Sequence, residues 1–142
     1  MITAIAERIR AQVPADVIAH VAVALTASAW AGLTVTRSPA VFVVPASELP
    51  QPNSRATGRV RQAVSTEIVL LIVIRSAGDP AGARKVDPWT AVREALIEAL
   101  LGWAPGAGLG PMTYGGMVTD SYADQVASWE MRWFVTSDVV ST

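Results

Sequence analysis

The sequence contains no cysteine. Disulfide frameworks and thiolate metal sites are therefore excluded. It contains one histidine, His20, too few for a zinc centre that needs several nitrogen or sulfur ligands. Charged residues are only 16% of the chain and the formal net charge is −1. No overall excess of one sign draws it to nucleic acid or to an anionic membrane. The unbroken apolar run Ile68-Val-Leu-Leu-Ile-Val-Ile74 is far shorter than the roughly 20 residues a membrane helix needs. Residues 1–10 place Glu7, Arg8 and Arg10 among isoleucines, unlike a signal peptide, and His20 interrupts the apolar segment Val17–Leu25. The chain is read as free of targeting and membrane segments, with the cytosol as the default compartment.

What is present is hydrophobic: 51% of the 142 residues. That length suits one domain, residues 1–142, burying about two thirds of its unfolded surface. Such a composition fits a packed domain, or a subunit with large interfaces, and not a disordered chain.

Periodicity orders the elements. Ile2, Ile5, Ile9 and Val13 recur at helical steps and Pro14 stops them. Asp16 is placed to cap a second helix over Ile18–Leu25, although the β-branched content of Val17–Val23 equally permits a strand. Residues 32–37 read as extended. Pro39–Pro45 reads as a short strand bounded by prolines, which lack the N–H a ladder needs. Residues 46–65, with Pro50, Pro52, Asn53 and Gly58, read as a long loop.

Thr66–Arg75 follows as a strand too apolar to have one wet face. After a turn over 76–82 comes a helix with Asp87 as N-cap and Pro88 in the first helical position. Its buried stripe is Trp89, Val92, Leu96, Leu100 and Trp103, and Gly102 and Pro105 end it. A glycine-rich loop spans about 106–116. Tyr114–Thr119 begins a strand, 120–124 is turn material, and 125–136 is a last strand. There Trp129, Met131, Trp133 and Val135 alternate with Glu130, Arg132, Phe134 and Thr136.

The expected fold is α+β in two layers: a mostly antiparallel sheet of about four strands with two or three helices packed on it. The strand 68–74 needs cover on both faces, and a second subunit is one way to supply it.

Catalytic chemistry is hard to assemble from these residues. Asp16 lies one helical turn before His20 and is the one acid placed to orient it as a base. The plainer reading is a hydrogen-bonded or partly exposed histidine. Residues 78–85 carry glycines and a lysine without phosphate-loop spacing. The loop 106–116 has glycines but no helix after it to supply a dipole. Asp120 and Asp124, or Glu94 and Glu98, are the carboxylate pairs on offer; the second pair lies one helical turn apart on an exposed face, which is ordinary solvation, and no serine–histidine–acid order accompanies elbow glycines. The chain is read as no enzyme, with no catalytic, metal-ligating or cofactor-binding residues.

Arg55, Arg59 and Arg61 form the best charged group, suited to a nucleic-acid backbone or an acidic partner, or else a solvated loop. Trp129 and Trp133 suit an interface pair or core packing.

These segments resemble one family. Pro39–Pro45 with Glu48 and Asn53, Arg61-Gln-Ala-Val64 leading into the apolar strand, Arg75 with the turn Gly78–Gly82, Leu101-Gly-Trp-Ala-Pro105 and the strand Trp129–Phe134 together resemble the tail terminator, or tail completion, proteins of tailed phages. The resemblance covers most of the chain from about Pro39.

It implies a structural virion protein that assembles in the host cytoplasm. It forms a homo-oligomeric ring, typically a hexamer, at the head-proximal end of the tail. Implied partners are copies of itself, the tail tube protein and a neck or head-closure protein, with passing DNA as a transient contact. Arg55, Arg59, Arg61, Trp129, Arg132 and Trp133 are then candidates for interface or lumen positions, and the loops 46–65 and 106–116 for elements ordered in the assembled ring. Another connector of the same particle, or a small ligand-binding or enzymatic domain using His20 and Asp16, stays open as an alternative.

Overall fold

A computed structural model of the chain describes residues 1–25, 37–75, 86–123 and 126–141. The extended segment expected over 32–36, the turn over 76–82 and the glycine–lysine stretch 78–85 lie outside them.

Helix α1 spans Ile2–Gln12 and buries Ile5, Ala6 and Ile9. It ends at Val13, whose φ of −105° and ψ of 126° are extended, the conformation that a following proline imposes. The second helix considered for 16–25 is absent. A turn at 15–17 leads instead into strand β1, His20–Val23. Parallel pairing with strand β2, Ala40–Pro50, from His20↔Ala40 to Val23↔Val43, favours the β-branched residues over their helical phase.

The long loop expected at 46–65 is also corrected. β2 runs to Pro50 and strand β3 spans Arg61–Arg75, so the two form one antiparallel hairpin paired out to Pro50↔Val64. The pairing register shifts between Pro45 and Ser47. β1 reaches only Val43, so both prolines stand where β2 has a single paired neighbour among the described residues, a position that tolerates a missing N–H.

Strand β4 is Thr113–Ala123 and strand β5 is Val126–Val140. Asp120–Ala123 is thus strand and not turn, and the last strand runs past Thr136. Among the described residues the sheet has five strands in the order β1-β2-β3-β5-β4, with one parallel pair and the rest antiparallel. This agrees with the expected α+β class and adds a strand.

Helix α2 spans Val86–Leu100. It starts two residues earlier than expected, which puts Asp87 in the first turn and not at the N-cap. There its charge still faces the positive end of the helix dipole. Val92, Leu96 and Leu100 are fully buried, and Gly102, at φ 79°, closes the helix in the left-handed conformation.

Both helices cover one face of the sheet. There α1 and α2 meet Val41, Val43, Ile68, Leu70, Ile72, Met131 and Trp133 in one core. Each buried Ile or Leu contributes about 1.5–3 kcal/mol, so this layer dominates stability. The opposite face has its own smaller core: Ala40, Phe42, Val44, Val69, Leu71 and Val73, all buried. The single chain therefore already buries both faces of β3, and this strand gives no separate reason for a second subunit.

Candidate interaction surfaces

The sheet narrows at one end to β2, β3 and β5. Every residue from Pro45 to Arg61 is exposed, among them Leu49 at 64%. Val60, Val139 and Val140 expose apolar surface at the same end. We call this end the arm.

Its tip is built by Asn53. The Asn53 Oδ1 accepts the backbone N–H groups of Arg55 (3.2 Å) and Arg61 (2.9 Å), and its Nδ2 donates to the Arg55 carbonyl at 2.9 Å. An asparagine side chain substituting for backbone in this way fixes a turn. The Ser54 N–H and hydroxyl both donate to the Arg61 carbonyl, and Gln62 Nε2 donates to the Gln51 carbonyl at 3.0 Å. The tip is thereby ordered within one chain.

The three arginines do not act alike. Arg61 is engaged: its Nη2 lies 2.5 Å, and its Nε 3.1 Å, from Asp138 Oδ2 on β5. Arg55 and Arg59 make no side-chain ion pair or hydrogen bond among the described residues. The expected cluster is therefore two free cations at the tip and one cation neutralised at its base.

Arg132 sits exposed on β5, with Nε 3.6 Å from Glu67 Oε1 on β3. Glu67 also accepts from the Ser47 hydroxyl at 3.2 Å. The chain Ser47–Glu67–Arg132 ties the three strands together on the face away from the helices.

The tryptophans are corrected. Trp133 is fully buried in the main core, edge-on to Tyr114 with ring centroids 5.4 Å apart, and its Nε1 has no hydrogen-bond partner among the described residues. It is a core residue and no interface anchor. Trp129 is half-buried and packs on Trp89 at 6.1 Å, while Trp89 Nε1 lies 2.9 Å from Met117 Sδ.

The glycine-rich loop is likewise tied down in the single chain. Gly110 N–H donates to the Thr136 carbonyl at 2.7 Å, Met112 N–H donates to the Trp103 carbonyl at 2.9 Å, and Met112 is fully buried.

Sequence reasoning missed Glu67 and Asp138, and read Asn53 as a loop residue without its turn-building role. The alternation of Gln62, Val64, Thr66 and Ile68 continues the strand pattern backwards through the supposed loop and was the signal for the arm.

His20 and Asp16 do not form a catalytic pair. His20 lies on β1, edge-on to Phe42, with Nδ1 3.3 Å from Arg37 Nη2, whereas Asp16 is exposed and not hydrogen-bonded to it. Among the described residues no three of His, Asp and Glu come together as a metal site, and no helix is long and apolar enough to cross a membrane. What the arrangement offers is surface: an exposed arm that combines apolar side chains with free cations.

A family model described as "Phage tail terminator protein" matches residues 1–140. The chain belongs to that family. Membership makes it a structural protein of phage tails, in agreement with the likeness seen in the strand and turn segments. No curated protein matches the chain. Among solved structures it is similar to a chain of a "Virion of native gene transfer agent (GTA) particle", with a TM-score of 0.64 and 14% identity over 98% of this chain and 95% of that one. At that identity the likeness concerns the fold.

Proposed function

We propose that this tail terminator chain closes into a ring, a hexamer, on the head-proximal end of the tail tube. The ring ends tube polymerisation and presents the surface to which the neck or head-closure proteins join. It assembles in the host cytoplasm and acts without cofactor or catalysis.

The observation that carries this reading is the family match over residues 1–140. The exposed arm supports it. A ring needs two different patches that meet head to tail and close after a fixed rotation. An arm carrying Leu49, Val139 and Val140 at its flanks and Arg55 and Arg59 at its tip supplies one such patch. Arg55 and Arg59 serve as contacts to a neighbouring subunit or to passing DNA. Arg61 and Arg132 keep the arm rigid through Asp138 and Glu67.

The test is direct. Purified protein is weighed in solution, and tail tubes polymerised with and without it are imaged by electron microscopy. A six-fold mass and tubes capped at one end are expected. A chain that stays monomeric with tube protein present and leaves tube length unchanged overturns the proposal, and labelling of the opposite tail end assigns a different connector role. Replacing both Arg55 and Arg59 by Gln is expected to leave the monomer folded and to reduce capping.

A further inference from the structure

The second concentration of unpaired positive charge lies at the opposite edge of the sheet, beside β1. A recess of about 350 Å3 opens between the C-terminal half of α1 and β1, lined by Arg10, His20 and Arg37 over an apolar floor that includes Ile9, Val13 and Ile18. Among the described residues no carboxylate lines it, and residues 26–36, next in sequence to its rim, contain no acidic residue. The nearest acids in sequence, Glu7 and Asp16, are exposed and bond to none of the three basic side chains.

Among the described residues each arginine makes one side-chain hydrogen bond and keeps donors to spare. Arg10 Nη2 donates to the Val21 carbonyl at 2.8 Å, which fixes the guanidinium against β1 while its other N–H groups remain available. Arg37 Nη2 lies 3.3 Å from His20 Nδ1. A guanidinium can only donate, so Nδ1 accepts, and the His20 ring, which packs edge-on to Phe42, holds Arg37 at the rim. Two full positive charges at a small recess, with no counter-charge among the described residues, suit an oxyanion.

We infer that the Arg10–His20–Arg37 recess binds one carboxylate-type or tetrahedral oxyanion, either free in solution or presented by an acidic side chain of a second copy. The inference does not depend on the ring. It assigns a use to the one histidine, which the tail-capping role leaves without a part.

The single imidazole is its own reporter, because one histidine gives one set of ring signals. The intact protein is titrated with sodium sulfate and with sodium acetate at fixed pH and ionic strength, chloride making up the balance, while the His20 ring proton shifts are followed by NMR. A saturable shift is expected, with half-saturation on the order of millimolar. Arg37→Gln and, separately, Arg10→Gln should each weaken it at least about ten-fold, the ratio expected from losing one charge-assisted hydrogen bond. Arg93→Gln, beside Tyr114 of β4 at the other edge of the sheet, should leave it unchanged.

A dilution series without added anion separates the two sources. A His20 shift that follows protein concentration, and is lost in Arg37→Gln, assigns the carboxylate to a second copy. Unshifted backbone amide signals away from the recess certify that each variant is folded. Sulfate and acetate shifts that are linear and equal to those in Arg37→Gln, together with no dependence on protein concentration, overturn the inference. Tube capping can fail or succeed independently of either result.

Discussion

Gly115 offers a sharp test of the sheet geometry. β4 and β5 pair Tyr114↔Trp133 and then Gly116↔Arg132, leaving Gly115 as the extra residue of a bulge. A Cβ added at Gly115 would stand 2.3 Å from Phe134 Cε2, 2.9 Å from Cδ2 and 3.3 Å from the Arg132 carbonyl oxygen. Carbon atoms pack at about 3.5–4.0 Å, so the Phe134 ring must move by roughly 1 Å. The Arg132 carbonyl belongs to the strand and cannot yield as far.

Overpacking of this kind costs about 1–3 kcal/mol, and the half-buried ring, with one open side, places Gly115→Ala toward the lower half of that range. Gly115 is not among the glycines at positive φ, so alanine fits its backbone. In a Phe134→Ala background the clash is gone, and Gly115→Ala should then be neutral or stabilising by about 0.4–1 kcal/mol through the unfolded chain.

Gly116 is the contrast. Its φ is 103° and nothing lies within 4 Å of its added Cβ, so Gly116→Ala should destabilise through backbone strain by the same amount with or without Phe134. Urea unfolding followed by tryptophan fluorescence measures all six proteins, provided their m-values agree. Equal cost of Gly115→Ala in both backgrounds, or coupling of Gly116 to Phe134, would refute the register and the bulge together.

Two further outcomes follow from the same structure. Trp133→Ala should cost about 3–5 kcal/mol, as for a fully buried large aromatic, and Trp129→Ala clearly less, as thermal or urea unfolding of the two variants will show; equal small losses would contradict the burial of Trp133. Asp138→Asn should cost only about 0.2–1 kcal/mol, because the Arg61–Asp138 pair is 48% and 41% exposed, and the loss should fade as salt is raised; a larger, salt-independent loss would mean the arm is held by more than this pair.

The parts of the fold legible in the sequence were those where one residue type excludes the alternatives. Pro14 closed α1, Gly102 closed α2, and the continuous run Ile68–Ile74 marked a strand covered on both faces. The parts that were not legible depended on pairing across the sheet. Val17–Val23 satisfied a helical and a strand pattern equally, and only β2 lying alongside it decided the matter. Pro45, Pro50, Asn53 and Gly58 carry genuine turn signals, yet a proline disqualifies a strand only where its N–H would face a neighbour, and at Pro45 and Pro50 β2 has, among the described residues, one neighbour and not two.

The same limit governed the candidate site. Arg55, Arg59 and Arg61 look equivalent in sequence, but the acid that neutralises Arg61 is 77 residues away. Arg10, His20 and Arg37 look unrelated, but β1 and the end of α1 bring them around one recess. Free charge on this molecule is therefore a property of the sheet register and not of local composition. Removing the register, by shifting β5 one residue along β3, would free Arg61 and turn Trp133 outward together. The arm and the core that supports it are specified by the same pairing, so a variant that slips it should lose tail capping and stability in step, whereas one that alters only Arg55 and Arg59 should separate them.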